Sequence, residues 1–367
     1  MIRVLHCIGS LEFGGSQGFV MNMYREVDRT KMQFDFVVFP EDIEGHYEEV
    51  SQLGGKIYVC PRFNAKNSVE FIKWWHAFFK EHKEYRIVHG HVRSVAAIYL
   101  TIAKKYGLRT IIHSHSTSNG HGFEAMVKAI LQKPLPRIAD YLFACSDVAG
   151  EWLYGKNAVK WDNYRMIPNG INCQRFAFSD ESRNQTRQEW NIPRDAFVIG
   201  HVGRFHEAKN HLFLVRIFER ILQLYPGAIL LLVGDGELKE EITQYCAQTG
   251  ILDHVRFTGN QVKTEAFYAA MDVLVFPSKW EGLPVSVVEA QASGLPCLIS
   301  DAVTQNVKLT DLVKYLSIRE REQHWVEETL RHAHKKREEI SKENFKRMQS
   351  FEIRTVAKEM QEFYLSL

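Results

Sequence analysis

The order of apolar and polar positions along the chain predicts two successive runs of alternating strands and helices. Residues 2–8 (IRVLHCI) are a short, nearly continuous apolar run, followed by the glycine-bearing stretch GSLEFGGSQGF and the helical pattern VMNMYREV. The theme repeats through QFDFVVF (33–39), the helix GHYEEVSQLG, the strand KIYVCP and the helix NSVEFIKWWHAFFKEH. It continues with IVHGHV (87–92), SVAAIYLTIAKKYG, TIIHSHS (110–116), YLFACS (141–146), EWLYG and YRMIPNGIN (164–172). Strands that alternate with helices in this way build a parallel sheet covered on both faces. The aromatic stripe Trp74, Trp75, Phe78 and Phe79 reads as core rather than as a binding surface.

Residues 173–194 (CQRFAFSDESRNQTRQEWNIPR) are polar and irregular, the best linker between two domains. Beyond them the pattern restarts with AFVIGHVG (196–203), the loop RFHEAKN, the amphipathic helix HLFLVRIFERILQLYP and the buried strand AILLLVGDGE (228–237). A helix ELKEEITQYCAQTGI, a strand HVRFTG (254–259), a helix EAFYAAM and the strand DVLVFPS follow. LPCLIS (295–300) reads as the last strand. From Thr310 the chain reads as helical and charged, with HAHKKREE a wet face and 351–367 a terminal amphipathic helix.

Composition adds limits. A chain of 367 residues with 45% hydrophobic content can fill two cores. Its net charge of +2 gives no reason to expect nucleic acid as a partner. The six cysteines stand far apart, with no CxxC and no Cys/His ligand spacing, so they read as reduced, buried residues of a cytoplasmic protein. Met1 leads straight into a strand with no basic leader, and no later window holds eighteen apolar residues, so nothing in the sequence reads as spanning a membrane. The basic and apolar segment 117–140 reads first as a solvated helix followed by a turn, and second as a peripheral contact with an acidic membrane surface.

Chemistry concentrates at strand ends. In KWEGLPVSVVEAQASGLPCLIS (279–300) two carboxylates, Glu281 and Glu289, stand eight positions apart around a turn that opens a short helix. Pro284 at the helix start needs no N–H partner, so the amides of Val285, Ser286 and Val287 are expected to face an anion beyond the strand. Carboxylates that accept from hydroxyls beside amides that hold phosphates suit a sugar nucleotide. The plainer alternative is a helix cap at Glu281 and a solvated Glu289. In the loop after 196–203, Arg204 and Lys209 supply two cations where a strand ends. Gly14 and Gly15 open a helix after the first strand, but the stretch is not GxGxxG and no acidic residue follows a clear second strand, which disfavours a nicotinamide cofactor. His113 and His115 end another strand. His89 and His91 are placed the same way, so spacing alone does not choose between the pairs.

Taken together, HVGRFHEAKNHLFL, LLVGDGEL, VRFTG and PSKWEGLPVSVVEAQASGLPCLISD, with GGSQ, HSHST, FACS and IPNGI in the first half, resemble the family 4 (group 1) retaining glycosyltransferases, in the branch that builds exopolysaccharide and capsule. The resemblance covers nearly the whole chain. It implies an α/β fold of the GT-B type: two Rossmann-like parallel-sheet domains facing a central cleft. Residues 1–173 would be the acceptor-side domain, 174–348 the nucleotide-sugar domain, and 349–367 a terminal helix crossing back to the first. By kinship Glu289 would accept from the ribose hydroxyls and Glu281 from the donor sugar. Arg204 and Lys209 would grip the diphosphate as it leaves, and Gly14 and Gly15 would lie against the phosphates. The loop Gly282, Leu283, Val285 and Ser286 would supply amides, and the backbone near Gln261 and Val262 would meet the base. The active-site histidine would be His115, with His113 the fallback.

The function so implied moves a hexose or N-acetylhexosamine from a nucleotide-diphosphate sugar, UDP-linked by kinship, to a hydroxyl of a saccharide or lipid-linked saccharide. It needs no metal and no cofactor, and it takes place in the cytoplasm or at the cytoplasmic face of the membrane. A nucleotide-sugar epimerase of the same architecture is the alternative. One departure stands out: where many relatives carry a glycine-rich acidic loop after the last strand, this chain has DAVTQNVKLTDL.

Overall fold

In the computed structural model, which describes residues 1–12, 14–39, 45–64, 66–118, 122–319, 321–332 and 342–367, every paired strand is parallel to its neighbour within two separate sheets. The first sheet contains β1 (Ile2–Gly9), β2 (Met32–Val38), β3 (Ile57–Val59), β4 (Ile87–Gly90), β5 (Arg109–Ser114), β6 (Tyr141–Ala144) and β7 (Tyr164–Met166), in the order β3-β2-β1-β4-β5-β6-β7. The second contains β8 (Phe197–Val202), β9 (Ala228–Val233), β10 (Val255–Phe257), β11 (Val273–Phe276), β12 (Cys297–Ser300) and β13 (Val313–Leu316), in the order β10-β9-β8-β11-β12-β13. Each order reverses once, between β1 and β4 and between β8 and β11. Ligands of open α/β sheets bind outside the carboxyl ends of strands at such switch points.

The chain divides into one unit of Met1–Ile171 with Ser350–Leu367 and another of Asn172–Gln349. In the first, the terminal helix Ile353–Leu365 joins the core through Ile353, Val356, Met360, Phe363 and Tyr364, which pack with Val4, Phe19, Phe34 and Phe36. Its start is pinned by Ile353 N–H donating to the Ile171 carbonyl and Ile171 N–H donating to that of Phe351. Trp75, Phe78 and Phe79 are buried as their spacing predicts. In the second unit β8 and β9 are buried along their whole length, which explains their unbroken apolar sequences.

Two expectations are overturned. The stretch 173–194 is no loose linker, because it holds the helix Asp180–Glu189. Ser179 caps that helix, accepting from Ser182 N–H. The cations that made the stretch look solvated turn inward. Arg183 and Arg187 both bind Asp272, at 2.5 and 3.0 Å, and donate to the carbonyls of 269–271 and 270 respectively. Nor is β12 the last strand. Val313–Leu316 adds β13 beside it, with its two ends buried and Lys314 outward, too short a run to stand out among the charges. Residues 333–341, which carry most of HAHKKREE, lie outside the described residues, as do 119–121 of the segment 117–140. The rest of that segment holds the helices Gly122–Gln132 and Leu135–Ile138. Among the described residues no helix is long and apolar enough to cross a membrane.

Candidate active site

In the second unit, the two loops that leave β8 and β11 at the switch point are stitched together. Lys279 N–H donates to the Ala208 carbonyl at 2.7 Å, and Asn210 Nδ2 donates to that of Pro277 at 3.1 Å. Asn210 takes a left-handed conformation (φ 58°), which turns the chain into the helix His211–Leu224. The stitching brings Lys209 Nζ to 2.6 Å from Glu281 Oε1 and 4.7 Å above the Phe276 ring. Beneath, His201 Nδ1–H donates to the Val275 carbonyl at 2.9 Å, and burial lowers its pKa to about 4, so the floor under Lys209 is uncharged at neutral pH.

Arg204 is not part of that pair. Its side chain is 73% exposed and lies 3.4 Å from Glu237 of the following loop. Gly234 lets that loop pass, for at φ 138° it packs where an added Cβ would stand 2.2 Å from the Gly203 carbonyl.

The helix Val285–Ala292 opens behind Pro284, as expected, but only part of its amide nest is open. Val287 N–H already donates to the Pro284 carbonyl at 3.1 Å, because the proline begins a tight first turn, which leaves Val285 and Ser286 at the helix mouth. Gly282 and Leu283 are buried beside them. Just over one turn in, Glu289 accepts from Tyr268 Oη at 2.7 Å, and burial pushes its pKa up to about 7 despite that bond. Arg175, nearby, donates to Glu265 at 2.9 Å and to the Val262 carbonyl at 3.3 Å, and Gln261 folds back onto Thr258. Val262 itself is exposed. Tyr268 and Arg175 were not singled out from the sequence. A tyrosine on an apolar helix face gives no signal there, and Arg175 lies in the stretch read as a linker.

The first unit gathers histidines at its own switch point. His6 on β1 is paired in register with His89 on β4, and HGH and HSH each place two imidazoles on one face of their strand. Gly90 between the first two packs the opposite way, where a Cβ would meet Tyr99 Oη at 2.2 Å. His6 Nδ1 lies 3.0 Å from His91 Nε2, and His91 Nδ1 lies 2.8 Å from His115 Nε2. His89 Nδ1 meets Tyr364 Oη at 2.6 Å. Burial lowers the pKa of His6 and His115 to about 3 and holds His89, His91 and His113 well below the ordinary value. All five rings are neutral at neutral pH.

Of the two histidines left open by spacing, His113 is wholly buried and His115 is partly exposed at the chain's outer end. Ring nitrogens of His6, His89 and His91, and of His91, His113 and His115, lie within 4.8 Å of one another. The rings of His113 and His115 nevertheless stack at 4.0 Å and 26°, and those of His89 and His91 at 4.3 Å and 27°, so their lone pairs run side by side instead of converging on one ion. Gly14 and Gly15 open the helix Gly15–Glu26, whose Phe19 ring lies 5.4 Å from that of His113.

Two parallel sheets of this order, each with polar groups at its switch point, have the architecture of the GT-B fold. Residues 13–175 match the model described as Glycosyltransferase Family 4, and 182–347 match Glycosyl transferases group 1; this chain belongs to that glycosyltransferase family. It is 34% identical over 336 residues to EpsF of Bacillus subtilis (strain 168), a glycosyltransferase by its name, covering 90% of this chain and 88% of that one. It is 26% identical over 233 residues to the UDP-Gal:alpha-D-GlcNAc-diphosphoundecaprenol alpha-1,3-galactosyltransferase of Escherichia coli, covering 60% and 58% of the two chains. The solved structure of Anabaena HepE in complex with UDP and glucose matches over 100% of both chains with a TM-score of 0.80 at 18% identity, a likeness of fold.

Proposed function

We propose that this chain is a retaining transferase that moves a hexose or N-acetylhexosamine from a UDP-sugar to a hydroxyl of a lipid-linked saccharide in cell-surface polysaccharide synthesis. The observation that carries this is the Lys209–Glu281 pair at the β8/β11 switch point, beside the helix mouth at Val285 and Ser286. A diphosphate needs a cation and amides, a sugar needs hydroxyl acceptors, and these loops offer both. HepE is described with UDP and with UDP-glucose, and the Escherichia coli relative is named for UDP-Gal and a diphosphoundecaprenol acceptor, which supports the choice of donor and acceptor classes.

In this reading the bond from the sugar's anomeric carbon to the diphosphate breaks while the acceptor oxygen bonds to the same carbon on the same face. The acceptor's proton passes to a phosphate oxygen. Lys209, Arg204 and the Val285 and Ser286 amides meet the charge that grows on the leaving diphosphate. Glu281 accepts from sugar hydroxyls, Glu289 from the ribose, and His115 bonds a sugar hydroxyl. No metal and no cofactor takes part. A nucleotide-sugar epimerase would convert the donor without an acceptor, and family membership favours transfer.

The test is incubation with a panel of UDP-sugars and a polyprenyl-diphosphate saccharide, with and without EDTA, followed by NMR of the product. Transfer with the donor's anomeric configuration, unchanged by EDTA, is expected. Inverted product, dependence on a metal, or an isomerised sugar without acceptor would each overturn the corresponding part.

A further inference from the structure

Glu281 is held by Lys209, whereas Glu289 touches no cation among the described residues. The one donor to its side chain there is a neutral phenol, Tyr268 Oη, 2.7 Å from Oε2. Arg175, the cation nearby, is bound instead to Glu265 at 2.9 Å and to the Val262 carbonyl at 3.3 Å. Tyr268 is fully buried on the short helix Glu265–Ala270, its ring edge-on to that of Phe176 at 5.9 Å. Burial, and the carboxylate beside it, push its pKa well above the usual phenol value, so Tyr268 stays a donor.

The last torsion of a glutamate joins an sp³ carbon to an sp² carboxylate and is broad, so an untethered carboxylate turns through a wide arc. A buried donor on Oε2 selects one orientation of its plane. Oε1 accepts from nothing among the described residues and is not enclosed, and Glu289 keeps exposed surface where Tyr268 has none. Oε1 is thereby the atom turned to the open side, with a further lone pair left on Oε2. The surroundings fit a nucleoside. Arg175 reaches the Val262 carbonyl and its charge is felt at Glu289, which puts the carboxylate close to the backbone expected to meet the base.

We propose that Tyr268 is a positioning residue that fixes the Glu289 carboxylate for a vicinal diol, and so sets a preference for ribonucleotides over deoxyribonucleotides. This rests on the ribose assignment of Glu289 given above. A diol needs acceptors at set positions, and a carboxylate oriented for it is left unmatched by a nucleotide that lacks the hydroxyls. A carboxylate released to rotate loses that discrimination while the diphosphate contacts, made by other loops, remain.

Calorimetric titration of UDP, and of dideoxy-UDP, which lacks both ribose hydroxyls, against the unaltered protein and Tyr268→Phe reads the preference directly. The unaltered protein is expected to bind UDP at least about tenfold more tightly than dideoxy-UDP. Tyr268→Phe keeps the buried ring and is expected to weaken UDP binding about five- to tenfold while leaving dideoxy-UDP binding within about a factor of two. On a Glu289→Ala background the same substitution should change neither affinity, because Tyr268 acts through Glu289. An equal loss for both ligands in Tyr268→Phe, as a merely structural role would give, overturns the proposal, and so does a preference that survives in it. If Tyr268→Phe does not fold, tyrosine isotopically labelled at Cζ at position 268 alone is followed by NMR. Its resonance is expected to shift with UDP and not with dideoxy-UDP, and the same response to both overturns the proposal. Equal binding of the two ligands to the unaltered protein would instead remove the ribose assignment of Glu289 and the proposal with it.

Discussion

Lys209 Nζ lies 2.6 Å from Glu281 Oε1, although 72 positions separate them in sequence, and their side chains are only 18% and 13% exposed. A charge pair this sheltered is held in place by the loops around it, and removing one partner strands the other. Lys209→Ala should therefore cost about 1–3 kcal/mol of stability, and Glu281→Gln less, since the amide still accepts from the lysine. Chemical denaturation of the two variants checks the order.

Arg204 should behave differently. Exposed and 3.4 Å from Glu237, it contributes almost nothing to folding, so Arg204→Ala should leave the melting temperature unchanged. If it meets the diphosphate as charge develops, turnover should still fall on the order of a hundredfold. A steady-state assay beside a melting curve separates the two roles. Turnover within a factor of two of the unaltered protein would remove Arg204 from the leaving-group assignment.

Glu289 and the buried histidines pull stability in opposite directions with pH. Burial raises the carboxyl pKa of Glu289 to about 7, so the proton it binds on folding stabilises the protein at low pH, and that contribution is lost as pH rises from about 4.5 through 7, up to about 3 kcal/mol. Glu289→Gln should abolish this slope and raise the melting temperature at pH 8 while weakening binding of the nucleotide. Equal melting temperatures of the two proteins at pH 8 would contradict a carboxylate that is costly to ionise.

His6 and His201, fully buried with pKa values near 3 and 4, act with the other sign. Their contribution is complete above about pH 6.5 and is lost as pH falls toward those values. At pH 5 each costs about 2 kcal/mol, together more than Glu289 returns, even before His89, His91 and His113 are counted. The protein should thus be less stable at pH 5 than at pH 7, which denaturant titrations at the two pH values measure.

Asp272 holds the helix Asp180–Glu189 through Arg183 and Arg187, the latter almost fully buried. Asp272→Ala leaves both guanidiniums with backbone carbonyls alone and should destabilise the protein by about 3 kcal/mol. A loss below about 0.5 kcal/mol in urea unfolding would mean the carbonyls suffice.

Much of this was legible in the sequence because the sheets are parallel. Buried strands such as AFVIGHVG and DVLVFPS announce themselves as apolar runs, and the loops that follow them carry Arg204, Lys209 and Glu281 at fixed offsets. What was not legible depended on partners distant in sequence. Arg183 and Arg187 look like solvated charges until Asp272 is beside them, and β13 is four residues that make sense only against β12. The amide of Val287 looked free because sequence shows a proline at a helix start but not the turn that uses the next donor. Two HxH motifs showed that histidines gather at strand ends. Only the register of β1 and β4 shows that His6 completes their line.

The central claim is that the β8 and β11 loops hold a nucleotide diphosphate, and calorimetric titration of UDP against the unaltered protein and Lys209→Ala tests it most directly. The account predicts that UDP binds the unaltered protein at least tenfold more tightly than uridine does, and that Lys209→Ala, while still folded, loses most of that difference. UDP and uridine binding alike, or a difference that survives in Lys209→Ala, would contradict it.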